Sequence, residues 1–180
     1  MDRVCVYIDG RNFFYRLHAL NETDFKFKFD KFSSLITGTE LNRTLLKIYY
    51  YNAPLKQQTN PFLYIKQQRM FAKLKLNPLI ELRLCKRQWR SGFSGGQSFG
   101  KTIGDDVWLT CDMLQGANDD EYDVAILVSC DGDYIYLVDY VQRLGKKVEN
   151  AFFINSGSKA LKKKCDAIIP IDLTLIRECI

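Results

Sequence analysis

From Val124 to Val128 the chain reads Val-Ala-Ile-Leu-Val, apolar without a break. A strand with one wet face alternates polar and apolar residues, so an unbroken run marks a strand covered on both faces. Such strands belong to parallel sheets sandwiched between helices. Further short runs at Arg3 to Ile8, Leu46 to Tyr51, Pro78 to Leu84 and Lys147 to Phe153 alternate with helical patterns along the chain. That alternation predicts βαβ units around a central parallel sheet, an α/β fold in which ligands bind beyond the carboxyl ends of the strands.

The intervening helices carry their own start and stop signals. One is expected from about Phe13 to Leu20 and another near Lys31 to Thr37, capped by Asp30 and ended by Gly38. A third begins at Asn60 as N-cap with Pro61 in its first turn and Pro78 beyond its end. The fourth runs from about Gly104 to Gln115 with Gly116 as its stop, and feeds a strand from Val124 to Ser129. Tyr134 to Leu144, with Gly145 as its C-terminal cap, precedes the strand at Lys147 to Phe153. A last helix near Ser158 to Lys164 and a short strand at Ala167 to Ile171 complete the pattern. With 180 residues, 47% hydrophobic and 26% charged, the expectation is one domain spanning 1–180. No stretch approaches the roughly 20 apolar residues of a membrane span. The N-terminus lacks a signal-peptide pattern, which points to the cytoplasm. Six scattered cysteines without a CxxC pair, and a single histidine, His18, argue for free thiols and against a zinc site.

The residues just past the apolar run of the fourth strand are chemically loaded. "SCDGD" places Asp131 and Asp133 beyond the strand end, and an extended chain would turn both to the same side. Asp and Gly after a strand also make ordinary turns, and Asp133 can cap a helix. Other acids reach the same edge, however. The first strand ends in "YIDGRN" with Asp9, and the helix after the third strand opens on Asp105 and Asp106. In a chain with so little histidine, a carboxylate cluster on strand ends suits the hard cations Mg²⁺ or Mn²⁺. Such an ion activates water and stabilises charge on a phosphate oxygen.

The net charge of +5 is unevenly spread. Between Lys86 and Lys101 the sequence "KRQWRSGFSGGQSFGK" has Lys86, Arg87, Arg90 and Lys101 with Trp89, Phe93 and Phe99, and no acid. Cations neutralise phosphates and aromatic faces stack on bases, so this basic, glycine-rich loop suits single-stranded RNA.

The segments "VYIDGRNFF" at 6–14, "KTIGDDVWLTCDML" at 101–114 and "AILVSCDGDYIYLVDYVQRLGKKV" at 125–148 resemble the NYN family of PIN-like nucleases, also called LabA-like. The resemblance implies a PIN-like α/β/α sandwich with a central parallel sheet of strand order 3-2-1-4-5, and metal-dependent cleavage of RNA. By position Asp9, Asp106, Asp131 and Asp133 look like the family's metal-binding acids, and Asn12 like its partner asparagine. Asp106 is preferred to Asp105 because Asp106-Val107, with Asp112 six residues on, matches the family spacing; the two neighbours point about 100° apart on a helix. Ser129 and Asp112 are the expected supporting residues around the acids. Arg11, Arg87, Trp89, Arg90 and Lys101 are the expected RNA contacts. Tyr134 stands where the family usually has phenylalanine.

The resulting expectation is a ribonuclease for single-stranded RNA, working through Mg²⁺- or Mn²⁺-activated water held by aspartates, without a membrane and with a homodimer as an open state. The alternative is a non-catalytic RNA-binding or regulatory module of the same fold. A phosphatase of the haloacid dehalogenase type needs Asp-x-Asp at the first strand, where this chain has Asp9-Gly10-Arg11.

Overall fold

A computed structural model of the chain describes residues 1–20, 22–38, 42–85, 87–91, 98–102 and 104–180. Six parallel strands build the central sheet: β1 (Asp2–Asp9), β2 (Arg43–Asn52), β3 (Ile80–Leu84), β6 (Val124–Val128), β7 (Lys147–Phe153) and β8 (Ala167–Ile171). Their order is β3-β2-β1-β6-β7-β8. The first five positions reproduce the expected 3-2-1-4-5 order, and β8 adds a sixth strand at the edge. Between β3 and the next helix an antiparallel pair, β4 (Arg87–Ser91) and β5 (Ser98–Thr102), replaces the loop expected there.

The two central strands are apolar on both faces because helices cover both. On one face Val4, Val6 and Ile8 pack with α1 (Gly10–Ala19), α2 (Phe29–Thr37), α3 (Pro61–Leu76) and α7 (Leu173–Glu178), through Phe13, Phe32, Phe71 and Ile176. On the other, Cys5, Tyr7, Ala125 and Leu127 pack with α4 (Asp105–Asn118), α5 (Ile135–Arg143) and α6 (Lys159–Lys164), through Leu109, Met113, Val138 and Leu161. Alternation of side-chain direction along β1 thus feeds both cores at once. Among the described residues, no helix is long and apolar enough to cross a membrane.

Several boundaries differ from expectation for identifiable reasons. α1 starts at Gly10, directly after Asp9, because the Asp9 carboxylate caps it by accepting the Asn12 N–H. α4 runs through Gly116 to Asn118, since that glycine is a packing residue: a Cβ there would lie 3.0 Å from Tyr122 Cε1 and 3.1 Å from Tyr7 Oη. Lys28 rather than Asp30 precedes α2, while Gly38 ends it in the left-handed conformation. After β6 the chain does not stay extended; Gly132–Tyr134 form a 3₁₀ turn with Asp131 as its cap.

Candidate active site

Three segments bring acids to the carboxyl edge of the sheet. β1 delivers Asp9, the turn after β6 delivers Asp131 and Asp133, and the N-terminus of α4 delivers Asp105 and Asp106. β1 and β6 are adjacent, with Ile8 in register with Val128. Parallel pairing alone therefore puts the first two groups side by side.

The acids lie in two layers. Asp9 and Asp105 are buried, at 5% and 3% exposure. In front of them an open cleft is lined by Asp106, Asp131 and Asp133 together with Val107, Cys111 and Tyr134. Asp9 accepts the Asn12 N–H at 2.9 Å on Oδ1 and the Ser129 hydroxyl at 3.1 Å on Oδ2. Ser129 Oγ in turn accepts the Asp131 N–H, and Asp131 Oδ1 accepts the Asp133 N–H at 3.0 Å. Asn12 Oδ1 takes the Cys130 N–H at 3.3 Å, which ties the first turn of α1 to the exit of β6. The side chain of Asn12 therefore joins two segments, while Asp9 caps α1.

Charge repulsion and burial act in the same direction here. Burial pushes the Asp9 carboxyl up to about 6, the neighbouring Asp106 and Asp105 charges add to the rise, and the Asn12 and Ser129 hydrogen bonds oppose it. Asp106 is raised as well, by burial first, then by Asp105 and Asp131, against the Tyr134 hydroxyl and Arg11. These groups hold protons longer than free carboxylates because burial first, and neighbouring negative charge second, disfavour their ionised forms.

Asp9, Asp106 and Asp131 nevertheless each accept a local donor instead of converging on one point. Among the described residues no set of three His, Cys, Asp or Glu side chains stands in metal-ligand geometry. The donor chemistry fits a hard cation all the same: the Asp105 Oδ2 atom is buried without a hydrogen-bond partner, and only Arg11 Nε approaches it, at 3.9 Å. An orphaned buried carboxylate oxygen beside Asp9 and Asp106 is an arrangement that a divalent ion would complete.

Asp105 and Asp106 point different ways. Asp105 faces inward toward Arg11, while Asp106, one helical step round, accepts the Tyr134 hydroxyl at 3.0 Å and faces the cleft. Asp112 does not belong to the site as expected. Seven residues after Asp105 it returns to nearly the same helix face but two turns away, and there it accepts the Tyr51 hydroxyl at 2.9 Å and pairs with Arg83 Nε at 3.1 Å. Of the expected RNA contacts, Arg11 stands at the site, 40% exposed. The side chains of Arg87, Trp89, Arg90 and Lys101, like residues Lys86 and Phe93, lie outside the described part of the structure.

Two participants are not evident from the sequence. Tyr134 looks like an aromatic core residue, and it is buried, but its hydroxyl reaches an acid of the cleft. Asn150 sits inside the apolar strand β7, where its Nδ2 donates to the carbonyls of Leu127 and Ser129 and so holds the end of β6 in place. A polar amide in the middle of "KVENAFF" is the signal that could have found it, since a buried asparagine implies backbone groups to satisfy.

The NYN domain profile matches residues 3–172, nearly the whole chain. The protein belongs to the NYN domain family. That places it among PIN-like nuclease domains, a family associated with divalent metals and nucleic acids. A crystal structure of a Vibrio parahaemolyticus protein of unknown function has the same fold, with a TM-score of 0.67 at 23% identity over 96% of this chain and 94% of the other. No curated protein matches the chain.

Proposed function

We propose that this NYN domain is a metal-dependent ribonuclease acting on single-stranded RNA, with Asp9, Asp106, Asp131 and Asp133 as its acidic centre. The observation that carries the reading is the accumulation of carboxylates at one sheet edge, two of them with raised affinity for protons and a third with an oxygen left unpartnered. A fold does not gather repelling charge at a rigid strand end for stability. Mg²⁺ or Mn²⁺, when bound, supplies an activated water and offsets the charge that grows on the phosphate.

The chain's own residues have separable tasks. Asp106, Asp131 and Asp133 present oxygens to the cleft where a phosphodiester would lie. Asp9 is fixed by Asn12 and Ser129, so that acid is held in place before substrate arrives, while Asp105 has only the Arg11 charge at 3.9 Å. Arg11 also offers an exposed cation to a backbone phosphate. All six cysteines are free thiols, which suits a reducing cytoplasm.

The test is cleavage of an end-labelled single-stranded RNA in Mn²⁺, Mg²⁺ or chelator. Wild-type protein should cut only with metal, and Asp131→Asn or Asp106→Asn should lower the rate by about a hundredfold or more, as loss of a group stabilising transition-state charge does. RNA that is bound by the wild type but never cut would establish the non-catalytic module instead.

A further inference from the structure

A second pocket lies at the same sheet edge, on the other side of Arg11. Its walls are Phe14 and Tyr15 of α1, Phe25, and Leu55 beyond the end of β2; the buried amides of Asn52 and Gln67 line it as well. About 440 Å³ of empty space lies between these walls with the open solvent at the mouth included, so a flat ring would rest at the mouth rather than deep inside. None of these residues belongs to the acidic cleft. Arg11 is shared, since it lines this pocket and its Nε approaches Asp105.

The composition of the walls is informative. Phe14 is partly exposed and holds Phe25 at a ring distance of 6.3 Å, while Tyr15 is 63% exposed on the surface of a helix. Aromatic faces left open beside an exposed cation suit a flat ring that carries a negative group. The amides are oriented by the backbone: Gln67 Oε1 accepts the Leu55 N–H at 2.7 Å, and Asn52 Oδ1 accepts the Ala53 N–H at 2.8 Å. Their nitrogens are engaged too, Asn52 Nδ2 donating to Tyr50 Oη at 3.1 Å and Gln67 Nε2 to the Ala53 carbonyl at 3.5 Å, and each amide keeps its second N–H for an acceptor on a ligand.

The geometry points to a nucleobase site: one unstacked base of single-stranded RNA enters the pocket of Phe14, Tyr15, Phe25 and Leu55 while Arg11 holds the phosphate that leads to the acidic cleft. This inference rests on the nuclease reading for its substrate class, but it makes its own prediction about where a base sits. Because a base must leave its stack to enter, duplex RNA is excluded by the same contact.

The experiment separates the two. Binding of a labelled single-stranded RNA octamer is measured by fluorescence anisotropy in chelator, where cleavage is silent. The same RNA carrying 4-thiouridine is then photocrosslinked and the attached peptide is sequenced. Tyr15→Ala alters an exposed side chain and should leave the melting temperature unchanged. It should weaken binding about tenfold, in the range lost with one stacked base. Crosslinks should fall on the α1 peptide and diminish in the same variant. Unchanged affinity in a folded Tyr15→Ala protein, crosslinks confined to other segments, or no RNA binding at all would each overturn the base site. Cleavage in Mn²⁺ is scored separately, so a protein that cuts RNA without the α1 contact refutes only the pocket. One that shows the contact without cutting refutes only the nuclease.

Discussion

Asp9 sits where structural and functional demands conflict. Its folded-state pKa of about 6 lies above the unfolded value near 4. For an acid raised in this way the destabilisation is absent below the unfolded value, grows as pH rises between the two, and is complete above about 6. A rise of about two units is of the order of 3 kcal/mol at neutral pH. Asn in its place can still accept the Asn12 N–H through Oδ1 and can turn Nδ2 to the Ser129 oxygen. Asp9→Asn should therefore abolish cleavage yet resist urea better than wild type at pH 8 in chelator, with the difference fading by pH 4.5. A variant less stable than wild type at pH 8 would show that the charge is welcome in the folded state. Tyr134 supplies a second measurement at this scale. Its hydroxyl holds the Asp106 pKa down against burial and Asp105, so Tyr134→Phe should move the acid limb of the pH–rate profile upward. Activity at the plateau should survive, because phenylalanine is the residue usual at this position in the family. An unmoved limb would mean that Asp106 does not set it.

Among the elements, those built on long periodic patterns were legible and those built on contacts were not. β7 and β8 fall on their expected residues, and α3 begins at Asn60 and Pro61 as its capping chemistry dictates. α7 spans six residues, too few to show a helical period, and shows only its Asp172 cap. The antiparallel pair of β4 and β5 lies in a stretch of Gly, Ser and charged residues that carries no alternating pattern, so cross-strand pairing rather than local preference accounts for it. The acids of the site were readable because strand ends in a parallel sheet must meet at one edge. The inward turn of Asp105 and the departure of Asp112 were not, because helix rotation is set by what α4 packs against. Gly38 and Gly145 do act as punctuation after α2 and α5, both with positive φ, whereas α4 runs through Gly116 because of what that glycine packs against. Gly10 opens α1 under β2, and a Cβ there would lie 2.6 Å from both Tyr50 Cζ and the Tyr51 carbonyl oxygen. Gly10→Ala should therefore lift α1 off the sheet and lower the unfolding free energy by about 1–3 kcal/mol, the usual cost of overpacking. It should also cut activity by displacing Asp9 and Arg11. Chemical denaturation reads the first effect, and a wild-type midpoint would show that the helix yields without cost.

Across the whole molecule the two ends of the sheet treat charge in opposite ways. At the amino end charges are paired: Arg3 bonds Asp123 at 2.8 Å, and Arg43 forms a two-pronged contact with the buried Glu149 at 2.7 and 3.0 Å. At the carboxyl end five acids gather, and among the described residues Arg11 approaches two of them, Asp105 and Asp106. The amino end is balanced by its own pairs, and at the carboxyl end the proposed divalent ion would offset the gathered negative charge. Anything that binds the folded state alone raises stability according to its concentration over its dissociation constant, by about 2.7 kcal/mol at a hundredfold excess. For a chain of this length that corresponds to roughly 5–10 °C in melting temperature. Wild-type protein should accordingly melt higher in excess Mn²⁺ than in chelator, and the gain should shrink at pH 4.5, where protons compete for Asp9 and Asp106. Asp9→Asn starts from the higher melting temperature in chelator, gains less from Mn²⁺, and is overtaken by wild type when the ion saturates. Melting curves of both proteins across a Mn²⁺ series at pH 8 and pH 4.5 decide the matter. Equal gains in the two proteins at both pH values would place the ion away from Asp9 and leave the acidic edge without the partner its chemistry calls for.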